Sequence, residues 1–363
     1  MDKRIWHNYD FVLLAVTLAL LAYGVAMIYS ASHNIPLVAG SAVRQSIFAA
    51  GGMLLGLVIT AIDYRLLDAF RVPIYTLVVV SLIAVLFLGQ TTFGAQRSID
   101  LGIVDVQPSE LSKPLMIIIL AAFFANRGEK IGRLSTVLLS ALLVAVPVFL
   151  IYKEPDLGTA LVLIFVWAVM VFTAGTNLLH LGLLAGGAAG TIPIVWLAMQ
   201  EYMRRRIVTF LNPDSDPQSY YNIKQALYAI GSGGWFGKGY LKGTQSQLRF
   251  LIVQHTDFVF SVICEELGML GALALFALLA LVLLRMLRAA KLARDTFGRL
   301  ICVGIAAWLF FQIAVNIGMN LNLLPVTGLP LPFISYGGSS LVPMLAAIGV
   351  VQSVLLRHRK IEF

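Results

Sequence analysis

The sequence predicts an all-α integral membrane protein with about ten transmembrane helices, and two observations carry this prediction. First, 59% of the 363 residues are hydrophobic and only 12% are charged, with a mean hydropathy of +0.89. This composition is far more apolar than that of a soluble domain. Second, the apolar residues form continuous runs that can cross a bilayer, without the alternation of membrane barrel strands.

The apolar runs give the predicted helices in chain order. Their bounds are residues 10–31, 43–62, 72–89, 109–125, 135–152, 157–174, 178–199, 256–284, 300–320 and 340–356. Between the seventh and eighth runs lies a long polar segment, about 200–255, which we expect to form an extended outer loop. Nothing outside these runs is long enough for a soluble domain, so residues 1–363 are predicted to form one polytopic membrane domain.

Basic residues determine the predicted orientation. Placing both termini in the cytoplasm puts Lys3, the basic run from Arg285 to Arg299, and Arg357 on the inner side. The short outer segments are poor in Lys and Arg, and the 200–255 segment is too long for the positive-inside rule. We therefore predict an N-in, C-in topology. The net charge of +8 then reflects contact with anionic membrane lipid, and not with nucleic acid.

Polar residues concentrate on the outer side of this topology, and Asp257 is the most informative of them. It stands where the polar segment changes into an apolar helix, a depth at which a carboxylate faces water or a partner. Helical spacing places Asp257, Ser261 and Glu265 on one face, at i, i+4 and i+8, with Glu266 turned away. This face is the first candidate for chemistry and substrate binding.

A second polar cluster opens the predicted helix at 109–125. Pro108 and Ser109 suit a helix start, and Glu110 falls in the first turn, where the macrodipole favours an anion. Glu110 is equally compatible with a structural role, in which it caps the helix and pairs with Lys113 at i+3. Lys113 enters the membrane segment, where a cation needs a partner or a polar ligand.

A third cluster interrupts two apolar runs at 153–160. Pro155 forces a turn between Glu154 and Asp156. Capping of the next helix explains Asp156, and a rigid turn explains Glu154. Substrate binding by these carboxylates is the alternative interpretation.

The 200–255 segment has features of an interaction surface. It carries three consecutive arginines from Arg204 to Arg206, as well as Tyr220, Tyr221, Trp235 and Phe236. Its glycine-rich part, 231–239, follows no predicted strand, so it does not indicate a phosphate-binding loop. We expect a flexible loop that closes over a lipid-linked substrate or docks a partner. Anchoring of the three arginines to lipid phosphates at the membrane surface is an alternative interpretation.

The last unusual stretch runs from residue 316 to residue 340. Pro325, Pro330 and Pro332 exclude a straight helix, although the stretch is apolar. Irregular backbone at membrane depth is tolerated when it is buried in protein or lines a cavity. We therefore predict a re-entrant or rim segment that shapes a groove.

These motifs resemble the SEDS (shape, elongation, division, sporulation) family of bacteria. The resemblance covers nearly the whole chain in order, and the Leu-Leu-Pro-Val-Thr-Gly form is more similar to the RodA elongation branch than to the FtsW division branch. Ser98 departs from it, because members commonly carry tryptophan there. The matching segments are Gln107-Pro-Ser-Glu-Leu-Ser-Lys113, Glu154-Pro-Asp-Leu-Gly-Thr-Ala160, the Asp257 region and Leu324-Pro-Val-Thr-Gly-Leu-Pro-Leu-Pro-Phe-Ile-Ser-Tyr-Gly-Gly-Ser-Ser340.

The resemblance implies a peptidoglycan glycosyltransferase that polymerises lipid II outside the bacterial cytoplasmic membrane, in complex with a class B penicillin-binding protein. The family's essential aspartate falls on Asp257, as general base. The leaving diphosphate needs cationic or metal stabilisation, for which Lys113 and Arg97 are the nearest candidates. A divalent cation, Mg²⁺ or Mn²⁺, is an open alternative. The two cysteines and five scattered histidines indicate no metal cage or disulfide framework.

Two other functions compete with the glycosyltransferase. A lipid II flippase would need polar residues along the whole membrane pathway, whereas the charges here cluster at the outer mouth. A purely structural scaffold for wall synthesis would leave Asp257 without a reason to stand at the membrane. We therefore expect the enzyme, with the flippase as the main alternative.

Overall fold

The computed structural model describes residues 8–33, 38, 40–92, 95–100, 105–177, 199–248, 250–251 and 254–358, with isolated positions between 179 and 197. The helices, in chain order, are α1 (Phe11–Ser32), α2 (Ser41–Ala61), α3 (Leu66–Ala69), α4 (Arg71–Leu88), α5 (Pro108–Ala125), α6 (Leu134–Lys153), α7 (Leu157–Ala174), α8 (Glu201–Leu211), α9 (Pro217–Ser232), α10 (Thr244–Gln247), α11 (Val259–Leu292), α12 (Thr296–Asn320) and α13 (Gly338–Leu356).

Within the described ranges, 9 helices are long and apolar enough to cross a membrane, namely α1, α2, α4, α5, α6, α7, α11, α12 and α13. Each coincides with one of the predicted runs. Half of the remaining predicted run, 178–199, lies outside the described residues. The helical membrane architecture is therefore confirmed.

A small antiparallel sheet joins α4 to α5, and the sequence analysis did not predict it. Its strands are β1 (Gln90–Thr92), β2 (Ala95–Asp100) and β3 (Asp105–Val106), in the order β1-β2-β3. The register places Gln90 opposite Ser98, and Ile99 opposite Val106. This pairing satisfies backbone groups that would otherwise stand unpaired beside a membrane.

The interior of the bundle is formed by α5, α12 and α13. Within the 18-residue apolar stretch of each helix, the share of buried residues is 78%, 67% and 83%, respectively, compared with 17% for α4. Side chains of α4 therefore face outward, where lipid would surround them. The ends of α5 and α12 that carry polar residues are consequently enclosed by protein.

Glycines bring α2 and α13 into close contact. A Cβ atom on Gly56 would lie 2.7 Å from the carbonyl oxygen of Leu345, and one on Gly349 would lie 2.3 Å from the carbonyl oxygen of Gly56. Small residues at such positions let helix backbones approach, which is how helices gain packing energy inside a membrane. Larger residues at these positions would force the two helices apart.

The 200–255 segment is mostly helical, so the prediction of a flexible loop is wrong, whereas its position on the outer side stays a prediction. It contains α8, α9 and α10. Ala226 and Ala229 of α9 pack with Leu251 and Phe258 in a small apolar core of their own. The overall polarity of the segment concealed these amphipathic faces, and burial of the apolar face offsets the entropy of ordering the chain.

The segment between α12 and α13, residues 321–337, is irregular, as predicted, and its second half is largely buried. Leu329, Leu331, Phe333 and Ile334 are each at most 2% exposed. The Asn316 side chain donates to the carbonyl oxygen of Leu329 at 2.8 Å. Protein groups therefore replace the hydrogen bonds that a helix would have supplied at this depth.

Candidate active site

Asp257 lies in a turn directly before α11, which begins at Val259. The Asn320 side chain donates to the Asp257 carbonyl oxygen at 3.0 Å, and that of Asn316 does so at 3.3 Å. Phe258 is buried on the other side of the turn. These contacts hold the Asp257 backbone against the end of α12, while its side chain is half-buried.

The predicted stripe of Asp257, Ser261 and Glu265 does not form, because Asp257 precedes the helix. Ser261 is fully buried and donates to the Asn320 side-chain oxygen at 2.7 Å. Ser261 therefore supports the asparagine that holds the Asp257 backbone. The structure shows it in this supporting position, and a direct role in substrate binding stays a prediction.

Glu265 and Glu266 are both fully buried, and both accept from Ser246, Glu265 from its nitrogen at 3.1 Å and Glu266 from its hydroxyl at 3.4 Å, so Glu266 does not turn away from Glu265. Glu265 accepts from Lys238 Nζ at 2.8 Å and from the backbone nitrogen of Gln245 at 2.8 Å. Glu266 accepts from Ser30 Oγ at 2.6 Å. Both carboxylates thus fasten the segment around α10 to the membrane helices, and their contacts are with protein groups.

The irregular 321–337 segment forms one wall of the site beside Asp257. Ser335 Oγ donates to the carbonyl oxygen of Thr256 at 2.6 Å, and the Tyr336 nitrogen donates to that of His255 at 3.0 Å. Within the same wall, Gly328 has a left-handed backbone, with φ of 77°. Because glycine carries no side chain, this wall leaves open space directly beside the carboxylate.

Arg206 of α8 faces Asp257 across Gly328. A Cβ atom on Gly328 would lie 3.9 Å from both Asp257 Oδ2 and Arg206 Nη1. The guanidinium donates to the Val326 carbonyl oxygen at 3.0 Å and lies 4.4 Å from the centre of the Tyr202 ring. From the sequence, Arg206 was a candidate for contact with lipid phosphates and not for the site. The four-residue spacing of Tyr202 and Arg206 was the signal for a positioned guanidinium.

Glu110 and Lys113 form the buried pair that the structural interpretation predicted. Lys113 Nζ lies 2.6 Å from Glu110 Oε1, and their side chains are 0% and 5% exposed. Pro108 occupies the first turn of α5, as expected. The ammonium of Lys113 is thus enclosed and neutralised. The side chain of Arg97, the other predicted cation, lies outside the described part of the chain.

Asp156 caps α7, as predicted, by accepting from the Thr159 nitrogen at 3.0 Å. It also accepts from the Gln107 side chain at 3.3 Å, which connects the starts of α5 and α7. Glu154 is fully buried beside it. A Cβ atom on Gly158 would lie 3.2 Å from the Thr327 carbonyl oxygen. The start of α7 therefore supports the same wall that carries Gly328.

His255 adds a titratable group two residues before Asp257. Burial lowers the pKa of its imidazole, since an enclosed ring loses solvation of its charged form. The ring centre lies 5.8 Å from that of Tyr336. His255 is accordingly neutral at pH 7 and adds no positive charge to the site.

The described residues do not form a protein cage for a metal. Groups of three or more His, Cys, Asp or Glu side chains suited to an ion are absent among them. Asp257 by itself fits the mode in which Mg²⁺ uses one or two carboxylates together with substrate phosphates. A divalent cation stays a prediction, and no step below depends on one.

Comparisons with known proteins identify the relatives of this chain. The model of the FtsW, RodA and SpoVE family, described as cell cycle protein, matches residues 11–360. The chain belongs to this family. Peptidoglycan glycosyltransferase MrdB of Escherichia coli K12 is 39% identical over 99% of this chain and 96% of its own length. Stage V sporulation protein E of Bacillus subtilis is 36% identical over 95% of this chain and 96% of its own length.

Solved structures agree with the family assignment. RodA of Thermus thermophilus matches with a TM-score of 0.73 and 34% identity, covering 96% of this chain and 97% of that one. A chain in a peptidoglycan synthase complex, which coordinates polymerization and crosslinking, matches with a TM-score of 0.82 and 34% identity over the same shares. The FtsW/RodA/SpoVE protein described here is thus a multi-pass membrane protein. The expectation of a peptidoglycan glycosyltransferase is confirmed at the level of reaction class.

Proposed function

We propose that this protein polymerises lipid II at the outer face of the bacterial cytoplasmic membrane during cell elongation, with Asp257 as general base. The observation that carries this assignment is the half-buried Asp257 carboxylate, fixed by its backbone to α12 and open toward Gly328. Both the sugar acceptor and the lipid-linked donor can reach a carboxylate placed at a helix mouth. The family relationship supplies the reaction class.

The chemistry is a substitution at an anomeric carbon. A hydroxyl of the acceptor sugar loses its proton to Asp257 while its oxygen bonds to the anomeric carbon of the donor. The bond from that carbon to the diphosphate oxygen breaks, and the polyprenyl diphosphate leaves with the electron pair. A positioned base typically accelerates such a step by about 10²–10⁴-fold.

The test is polymerisation by purified Asp257→Asn protein, supplied with lipid II and its partner. The amide has the same shape but cannot accept the proton, so we expect glycan polymer to be lost while folding and membrane level are kept. Asp214→Asn, on the exposed turn after α8, is the matched control and should keep wild-type activity. Polymerisation by Asp257→Asn at a near wild-type rate would make Glu110 the leading candidate for the base.

The same purified proteins also test the alternative function, a lipid II flippase. A protein that translocates lipid II across vesicle membranes without forming polymer would support the transporter. A polymerase forms glycan in detergent, where no second compartment exists. We expect polymer in detergent.

A class B penicillin-binding protein is the proposed partner. The exposed Trp235 and Phe236, at 67% and 81%, stand where α9 ends beside α11. Exposed aromatic side chains anchor interfaces. The related chain in a peptidoglycan synthase complex supports a partner that crosslinks the polymer.

A further inference from the structure

We propose that Arg206 binds the diphosphate of the lipid-linked donor beside Asp257, so that this cation, and not Lys113, stabilises the leaving group. The inference rests on the proposed glycosyl transfer. It assigns a phosphate-binding role to α8, which lies in the segment predicted as a flexible loop that closes over a substrate or docks a partner.

The position of Arg206 relative to Asp257 is the first argument. Arg206 Nη1 and Asp257 Oδ2 each lie 3.9 Å from the place where a Cβ atom on Gly328 would stand. The two charged groups are therefore no more than twice that distance apart, and the described residues leave the position of that Cβ atom unfilled. A base and a leaving-group cation must flank the reacting carbon from nearby positions, and this arrangement provides both.

The guanidinium is held in place by two uncharged groups. Its Nη1 donates to the Val326 carbonyl oxygen at 3.0 Å, and its carbon lies 4.4 Å from the Tyr202 ring centre. A guanidinium has five N–H donors in a planar fork. Within the described part of the chain it makes this one hydrogen bond, so donors remain for a ligand. Among the described residues, Arg206 makes no ion pair with a carboxylate.

The neighbouring arginines differ from Arg206. Arg205 points away, with its side chain 61% exposed, and approaches Glu201 at 3.7 Å and Asp216 at 3.9 Å. Arg204 bonds to backbone oxygens, including that of Trp196 at 2.9 Å. Arg206 is therefore the member of the triple arginine that faces the site.

Lys113 is poorly placed for the same task. Its side chain is 0% exposed, and its ammonium is 2.6 Å from a Glu110 oxygen. A cation that is already paired with a buried carboxylate attracts a diphosphate weakly, and exposing it would break that pair. Arginine also matches phosphate oxygens with two parallel donors, which an ammonium cannot do.

The test measures binding of undecaprenyl diphosphate in detergent, in an Asp257→Asn background that binds without turnover. We expect Arg206→Gln to weaken this binding by about 10- to 100-fold, since a charged hydrogen-bonding partner is lost. Arg206→Lys should recover part of the affinity. Arg205→Gln, the matched control on the same helix, should change it less than about twofold.

The outcomes separate this proposal from its alternatives. Unchanged diphosphate affinity in Arg206→Gln, or an equal loss in Arg205→Gln, would overturn it. If excess phosphatidylglycerol displaces bound undecaprenyl diphosphate as well as excess undecaprenyl diphosphate does, the proposal is also overturned. Arg206 would then be a contact for lipid headgroups. Should Arg206→Gln not fold, Arg206→Lys decides the matter, because an unchanged affinity there argues against fork-specific binding. The proposed base is tested separately, by polymerisation in Asp257→Asn alone.

Discussion

A buried ion pair lies in the first two turns of α5. Lys113 and Glu110 lie 2.6 Å apart with almost no exposure. Desolvation of two charges is costly, and their attraction offsets that cost only while both partners are present. The pair therefore adds less stability than its geometry suggests, but losing one member is severe.

We expect Lys113→Met to destabilise the protein by about 3–5 kcal/mol, because Glu110 would be left buried and uncompensated. This variant should also lose activity, because the start of α5 would no longer be held in position. Glu110→Gln combined with Lys113→Met should regain much of the lost stability, since the buried charge is then gone. Thermal unfolding in detergent, compared across both single variants and the double variant, measures this coupling. Additive losses would show that the two residues act independently.

At the scale of elements, the break in α11 shows how a glycine-rich segment stabilises an interrupted membrane helix. Gly268 has φ of 66° inside α11, which ends the regular hydrogen bonding there. Backbone groups of 234–239 replace the lost partners. The bonds run from Met269 to Gly234 at 2.9 Å, Leu270 to Trp235 at 3.2 Å, Lys238 to Glu265 at 2.9 Å and Gly239 to Glu266 at 3.0 Å, each from nitrogen to oxygen.

The glycine-rich run is thus a site of close backbone approach. A Cβ atom on Gly233 would lie 1.8 Å from the Cys264 carbonyl oxygen, and one on Gly237 would lie 2.1 Å from that of Glu266. Side chains at either position would separate the segment from α11. Glu265 and Glu266 complete the same connection through their side chains.

Gly268→Ala is expected to destabilise the protein strongly, because its Cβ atom would lie 2.3 Å from the Gly237 nitrogen in a left-handed conformation. Gly51→Ala is the matched control, since nothing lies within 4 Å of a Cβ atom there. This control should be neutral or gain up to about 1 kcal/mol in helix propensity. Unfolding temperatures of the two variants provide the comparison. Equal values would contradict the role given to the α11 break.

At the scale of the whole molecule, the two ends of the bundle have different chemistry. One end carries Asp257, Arg206 and the exposed aromatic residues Trp235 and Phe236. The other end is basic, and its pairs include Arg285 with Asp10 at 2.6 Å. A partner that crosslinks the product should therefore contact the end where the glycan emerges.

Cysteine crosslinking checks the position of the partner. Both native cysteines, Cys264 and Cys302, are buried, so the background should be low. We expect Trp235→Cys and Phe236→Cys to be trapped with the penicillin-binding protein. Arg294→Cys, an exposed control between α11 and α12, should not be trapped with its outer domain. If the partner were trapped only at cysteines elsewhere on the outer side, the α9–α10 region would be reassigned to substrate gating.

The sequence by itself determined the membrane class, the positions of the apolar helices and the role of several local motifs. Composition and run length are sufficient for the helices because an unpaired backbone cannot persist in hydrocarbon. Local rules also predicted the Asp156 cap and the irregular stretch before α13, and they gave the Glu110–Lys113 pair as one of two interpretations. The cap and the ion pair depend on residues that are close in sequence. The irregular stretch was recognised because its prolines exclude a helix and irregular backbone at membrane depth must be buried.

Tertiary structure alone decided which polar groups meet. Helical spacing predicted that Asp257 and Glu265 lie on one helix face. The helix begins after Asp257, however, and Glu265 accepts hydrogen bonds from the segment around α10. Arg206 and Asp257 are neighbours only because Gly328, far along the chain, leaves room between them. Periodicity describes one helix at a time, whereas a catalytic site joins several elements. Their contacts follow from how the whole bundle buries its apolar surface and pairs its interrupted backbone.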